Sequence, residues 1–157
     1  MSSSAQPPSD LGILVLLAYQ GFVRRLHEDM ARRGYDDLGR SDGVIFRMVS
    51  ARPRTVSELA TGLEISKQGA AQIVEDMERR GYVVRRPDPN DGRARLVELS
   101  SRGRAALGVA RDFHRDYERE LVRRHGARSV DALRALLDTM AGEAPDGLDR
   151  ELRALYL

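Results

Sequence analysis

The chain has 157 residues, enough for one domain with a sizeable core, and no apolar run reaches the roughly 18 residues needed to span a bilayer. With no cysteine, disulfides, thiolate zinc sites and thiol redox switches are excluded. Lysine and arginine number 26 against 24 acidic residues, a net charge of only +2, and every basic residue except Lys67 is an arginine, so where the arginines sit says more than their sum.

Residues 1–10 are rich in Ser, Pro and Gln and read as a flexible arm. They lack a basic leading region, so the apolar stretch that follows is not expected to be a signal peptide; a cytoplasmic protein without membrane contact is expected. Leu11, Leu14, Ala18, Phe22, Leu26 and Met30 recur at three-to-four-residue spacing and predict one long helix ending near Gly34. Ile13, Val15, Leu16 and Leu17 fill the other faces of its first half. A helix apolar nearly all round must be covered on both sides, which predicts a subunit interface. A second helix is predicted from Ser41, whose hydroxyl can cap it, with Val44, Ile45, Met48 and Val49 facing the core and Arg52-Pro53 ending it.

Thr55 with Glu58 three positions later forms a capping box, and Val56, Leu59, Ala60 and Leu63 give a short helix one buried face. Gly62 to Ile65 is the predicted turn. Ser66 can cap the next helix, which points Ala70, Ile73, Val74 and Met77 inward and Lys67, Gln68, Ala71, Gln72 and Glu75 outward. This is a helix-turn-helix pattern, in which the first turns of the second helix meet the base edges of the major groove. Gln68 and Gln72 suit adenine N6 and N7, and Lys67 suits a phosphate.

Tyr82 to Arg86 and Arg93 to Leu99 read as two strands of a wing, with Asp91-Gly92 as the turn signal. Arg79, Arg80, Arg85, Arg86, Arg93 and Arg95 cluster there against only Asp88 and Asp91. An arginine at such a tip can enter a narrow A·T-rich minor groove, with Asp91 close enough to orient Arg93. Next, Ser100 or Ser101 can cap a long helix with a stripe of Leu107, Ala110, Phe113, Tyr117 and Leu121. Gly126 breaks it, Ser129 can cap a last helix with Val130, Leu133, Leu136, Leu137 and Met140, and residues 142–147 form a loop before a short apolar tail.

In their order these segments resemble the MarR family of winged-helix transcriptional regulators, over about Leu11 to Met140. The resemblance is carried by Thr55-Val-Ser-Glu-Leu-Ala60, Ile65-Ser-Lys-Gln68, Val74-Glu-Asp-Met-Glu-Arg-Arg-Gly-Tyr-Val83, and Arg86-Pro-Asp-Pro-Asn-Asp-Gly-Arg93 running into Leu99-Ser-Ser-Arg-Gly103. Its most specific element is Asp91-Gly92-Arg93, which matches the family's Asp-x-Arg wing signature. The resemblance implies a mainly α fold with a small β-hairpin wing: one domain over 11–157, with a winged helix-turn-helix at 41–99 and dimerisation helices at 11–34 and 101–157. It implies a homodimeric repressor on a pseudo-palindromic site in duplex DNA. Ser66, Lys67, Gln68 and Gln72 map to the recognition helix, and Asp91, Arg93 and Arg95 to the wing, beside Arg85 and Arg86. Gly69 and Ala71 depart from the Ser or Thr common in the family. The resemblance also implies a small, frequently aromatic effector, for which Tyr19, Arg47, His114 and Tyr117 are the candidate pocket residues.

No cofactor, metal site or catalytic residue is expected. His27, His114 and His125 lie far apart, and neither a Gly-rich phosphate loop nor a nucleophile elbow is present. His27 with Glu28 and Asp29, or His114 with Asp112 and Asp116, are the nearest approach to a metal or acid-base site. The alternative function is a winged-helix module that binds protein or RNA, since fold alone does not fix function.

Overall fold

A computed structural model of the chain describes residues 10–39 and 41–142. Most of the predicted N-terminal arm, all but the first residue of the 142–147 loop, and the apolar tail lie outside the described residues. The described chain forms two units, one up to Asp36 and one from Asp37 onward.

The first unit is built on α1 (Leu11–Arg32), which ends as its spacing predicts. Gly34, at φ +89°, lets the chain turn back so that Gly34 N–H bonds Ala31 O and Tyr35 N–H bonds Met30 O. Leu11, Ile13, Leu14, Leu16, Leu17 and Tyr19 are all exposed.

The second unit runs α2 (Asp42–Ala51), β1 (Arg54–Thr55), α3 (Val56–Leu63), α4 (Lys67–Arg79), β2 (Val83–Asp88), β3 (Asp91–Leu99), α5 (Ser101–His125) and α6 (Ala127–Ala141). Its core joins Ile45, Phe46, Met48 and Val49 of α2 to Leu59 and Ala60 of α3, Ala70, Val74 and Met77 of α4, Tyr82, and Val83, Val97 and Leu99 of the strands. Ala106, Leu107 and Phe113 of α5 are buried as well. The antiparallel sheet has the order β1-β3-β2, with Arg54 opposite Val97 and Arg85 opposite Val97 from the other side. The molecule is a winged helix-turn-helix: mainly α, with a small β wing.

Local chemistry explains most boundaries. Thr55 Oγ1 accepts from Glu58 N at 3.2 Å while Glu58 Oε2 accepts from Thr55 N at 2.7 Å, so the predicted capping box is formed. Ser66 caps α4 through Gly69 N at 3.0 Å, and Ser100, not Ser101, caps α5 through Gly103 N at 2.9 Å. Gly126, at φ +81°, ends α5 as expected.

Several expectations need correction. Ser41 makes no side-chain cap; the Asp42 carboxylate instead accepts from Gly39 N at 2.8 Å, ahead of the helix. Gly62 is not the turn residue. It lies inside α3, where a Cβ would come within 2.3 Å of Met48 Cε, and the left-handed position falls to Glu64 at φ 54°. The wing turns at Pro89-Asn90, so Asp91 and Gly92 open β3. Ser129 does not cap α6, which starts two residues earlier after Gly126. Strand β1 has no sequence signal of its own: two residues become a strand only by pairing with Val97 and Leu96.

Candidate nucleic-acid interface

Helix α4 turns one well-defined face outward. Ala70, Val74 and Met77 are fully buried, whereas Gln68, Gln72, Glu75 and Arg79 are exposed. At 3.6 residues per turn those four fall within an arc of about 60° on the side opposite the buried one. Lys67 is exposed at the helix start, whose first turn carries no acidic residue, so the positive end of the helix dipole and an ammonium face the same space. A shallow, open cleft of about 550 Å³ runs along Gln72, Glu75, Asp76, Glu78 and Arg79. Ala71 is half-buried. The Ser66 hydroxyl is exposed but occupied as the cap.

Both ends of this helix are anchored. At its start stands the Ser66 cap. At its end Arg80 reaches Asp42 Oδ2 at 2.6 Å, Asp76 Oδ2 at 2.6 Å and the backbone oxygen of Asp37 at 2.6 Å. Asp42 is only 2% exposed, so this pair is a buried one, and removing either partner leaves an uncompensated charge. The Asp42 carboxylate beside it holds the Arg80 guanidinium protonated well above the ordinary arginine range. Tyr82 extends the cluster: its hydroxyl donates to Asp37 Oδ1, and the Arg102 guanidinium lies 4.8 Å from its ring centroid. Burial and the Asp37 carboxylate push the Tyr82 phenol up to about 12. Helix α4 is thereby tied to the segment before α2 and to the start of α5.

The wing sorts its arginines into two kinds. Arg85 Nε lies 3.3 Å from Glu78 Oε2, an ion pair by distance that joins β2 to α4, and Arg86 bonds Glu98 across the strands. Arg93 and Arg95 are exposed, and their guanidinium groups have no acidic partner among the described residues. Arg95 shares a strand face with Val97 and Leu99, which are buried at the base of the sheet, while Arg93 lies beyond the register shift that falls between Arg95 and Asp91, nearer the turn. Asp91 Oδ1 accepts from the backbone N of Arg93 at 3.0 Å, and Asp88 Oδ1 from the backbone N of Asn90 at 2.8 Å. The expected contact between Asp91 and Arg93 is therefore made to the amide, not the guanidinium. It stiffens the tip and leaves the charge free.

The sequence model of the MarR family matches residues 36–94, the stretch from the Asp37 segment to the wing. Over 88% of its length the chain superposes, with a TM-score of 0.65 and 25% identity, on 99% of a mutant MarR from E. coli complexed with operator DNA. Over residues 36–94 the chain carries a MarR-family segment. It is also similar to the transcriptional activatory protein BadR of Rhodopseudomonas palustris, 37% identical over 62 residues. That alignment takes in 40% of this chain and 35% of BadR, so it spans about a third of the relative's length. YusO of Bacillus subtilis shares the fold, with a TM-score of 0.66 at 14% identity over 91% of this chain and all of that one.

A Cβ at Gly69 would stand 3.2 Å from Ser66 Oγ, the capping atom of α4. Of the candidate pocket residues, Arg47 of α2 and His114 of α5 are brought together, Arg47 Nη2 lying 3.1 Å from His114 Nε2. Burial, followed by the Arg47 charge, pulls the His114 imidazole down to about 4, so it is neutral and accepts from the guanidinium. The Tyr117 ring packs against Phe113 with centroids 5.8 Å apart. Tyr19 belongs to the first unit and is 66% exposed. Asp112 and Asp116 flank His114 in sequence but bond Arg115 and Arg119 instead. Sequence reasoning missed the Asp37–Asp42–Arg80–Tyr82–Arg102 cluster. Its only signal was a row of charges before α2, and its members come from four separate segments.

Proposed function

We propose that this chain is a DNA-binding transcriptional regulator of the MarR family. Helix α4 enters the major groove and the Arg93-bearing wing enters the adjacent minor groove. The observation that carries this reading is the coexistence of an outward polar stripe on a helix anchored at both ends with two unpaired arginines on a stiffened hairpin. Arg86, Arg115 and Arg119 meet carboxylates, whereas among the described residues Arg93 and Arg95 do not, and these two stand together on the hairpin that follows α4. Leaving Arg93 and Arg95 without carboxylates suits a polyanionic partner. The E. coli relative was crystallised with operator DNA, which supports the same use here.

The working form is a homodimer on a pseudo-palindromic operator. Support comes from the exposed apolar side chains of α1 and, separately, from Leu133, Leu136, Leu137 and Met140 on α6. By occupying a promoter the dimer acts as a repressor in the cytoplasm. A small aromatic effector that releases the DNA is assigned to the surroundings of Arg47, His114 and Tyr117, where a cation stands beside aromatic surfaces. No described helix is long and apolar enough to cross a membrane. Selection from a random duplex pool, with single-stranded RNA as competitor, tests the reading. An enriched inverted repeat with half-site centres about one helical turn, ~34 Å, apart is expected. Failure to retain any duplex at low salt, or preference for the RNA, overturns it. Expression beside a reporter carrying the selected site should lower its output.

A further inference from the structure

Helix α4 carries three acidic residues, and two of them are occupied: Asp76 is held by Arg79 and Arg80, and Glu78 is paired with Arg85. Glu75 is different. It is exposed, has no cationic partner among the described residues, and sits in the stripe of Gln68, Gln72 and Arg79, one helical turn beyond Gln72. Arg79, four residues on and positioned to neutralise it, bonds Asp76 instead. A bare carboxylate on the face of a helix that meets DNA is repelled by the phosphates unless it finds a hydrogen-bond donor. In the major groove the donors on base edges are adenine N6 and cytosine N4. On adenine the N7 acceptor lies beside the donor and repels a carboxylate, whereas cytosine offers its amino group with no adjacent acceptor.

From this geometry we infer that Glu75 is a specificity-determining residue that selects cytosine at one position of each half-site, next to the base read by Gln72, and penalises guanine and thymine there. The inference rests on α4 being the base-reading helix. A glutamine at 75 has the adenine-matching pair of donor and acceptor that the carboxylate lacks, so the variant should change the letter, not merely blur it.

The test is random-duplex selection with the full-length wild type, Glu75→Gln and Glu75→Ala. The wild type should enrich cytosine at the Glu75 position about tenfold over the other bases. Glu75→Gln should convert that position to adenine while leaving the others unchanged. Glu75→Ala should lose the preference there and bind duplex lacking the site more tightly, because a repelling charge is gone. Glu75 is exposed, so thermal melting of both variants should match the wild type. If the wild type enriches a site and both variants keep the same letter at every position, the inference fails while the regulator reading stands. A wild type that enriches no site defeats the regulator reading itself, and the inference with it.

Discussion

Arg86 and Arg93 lie seven residues apart on the same hairpin, yet their surroundings give them different work. Arg86 is tied to Glu98, whereas Arg93 has only its backbone held, by Asp91. Arg93→Ala should therefore weaken duplex binding by about tenfold, most at A·T-rich flanks with a narrow minor groove, while Arg86→Ala changes it little; fluorescence anisotropy on matched duplexes measures both. The sequence singled out Arg93 at the tip but could not separate Arg86 from it as a DNA contact, because which arginine meets a carboxylate depends on strand register. His114 makes a second residue-level case. Its folded value of about 4 lies below the ordinary imidazole value of 6.5, so between those limits the unfolded chain binds more protons. Its contribution to stability is fully present above pH 6.5 and is lost as the pH falls toward 4. Melting temperatures of the wild type across that range should drop more steeply than those of His114→Gln, and parallel profiles would remove this histidine as the cause.

Among the elements, those with local signals were legible. The Thr55-Glu58 box and the Ser66 cap bond neighbours three residues away, so the sequence contains both partners. What it could not show were features made by distant partners. Strand β1 exists through Val97 and Leu96, and Gly62 comes close to Met48 of α2 only because α3 folds against α2. Asp91-Gly92 looked like a turn because that dipeptide favours one, but Pro89-Asn90, with the Asp88 carboxylate on the Asn90 amide, completes the turn two residues sooner. Two glycines separate a rigid close contact from a soft one. A Cβ at Gly103 would stand 2.0 Å from the backbone oxygen of Tyr82, where neither α5 nor the sheet can yield locally. Gly103→Ala should cost about 2–3 kcal/mol, read from the urea midpoint, and should impair DNA binding by shifting α5 against the sheet. At Gly62 the obstacle is the flexible end of Met48, so Gly62→Ala should cost about 1 kcal/mol or less.

At the scale of the whole molecule, the chain leaves apolar surface uncovered. Leu11, Leu14, Leu16 and Leu17 of α1 are each close to half exposed or more, as are Leu136 and Met140 of α6, which supports the proposed homodimer. The apolar periphery of α1 was legible in the sequence, since its first half is apolar nearly all round; on α6 the spacing gave the apolar stripe but not its exposure, which depends on what the fold packs against it. Light scattering should give a dimer at micromolar concentration. Leu136→Glu should produce monomers that melt normally yet lose most operator affinity, because two half-sites are then no longer bound together. The assignment of α4 and the wing to DNA is tested most directly by the salt dependence of binding to the selected duplex. For the wild type, log affinity should fall linearly with log salt, and the Arg93→Ala, Arg95→Ala double variant should show a slope shallower by about two. Equal slopes for the two proteins, or a wild-type affinity indifferent to salt, would contradict that assignment.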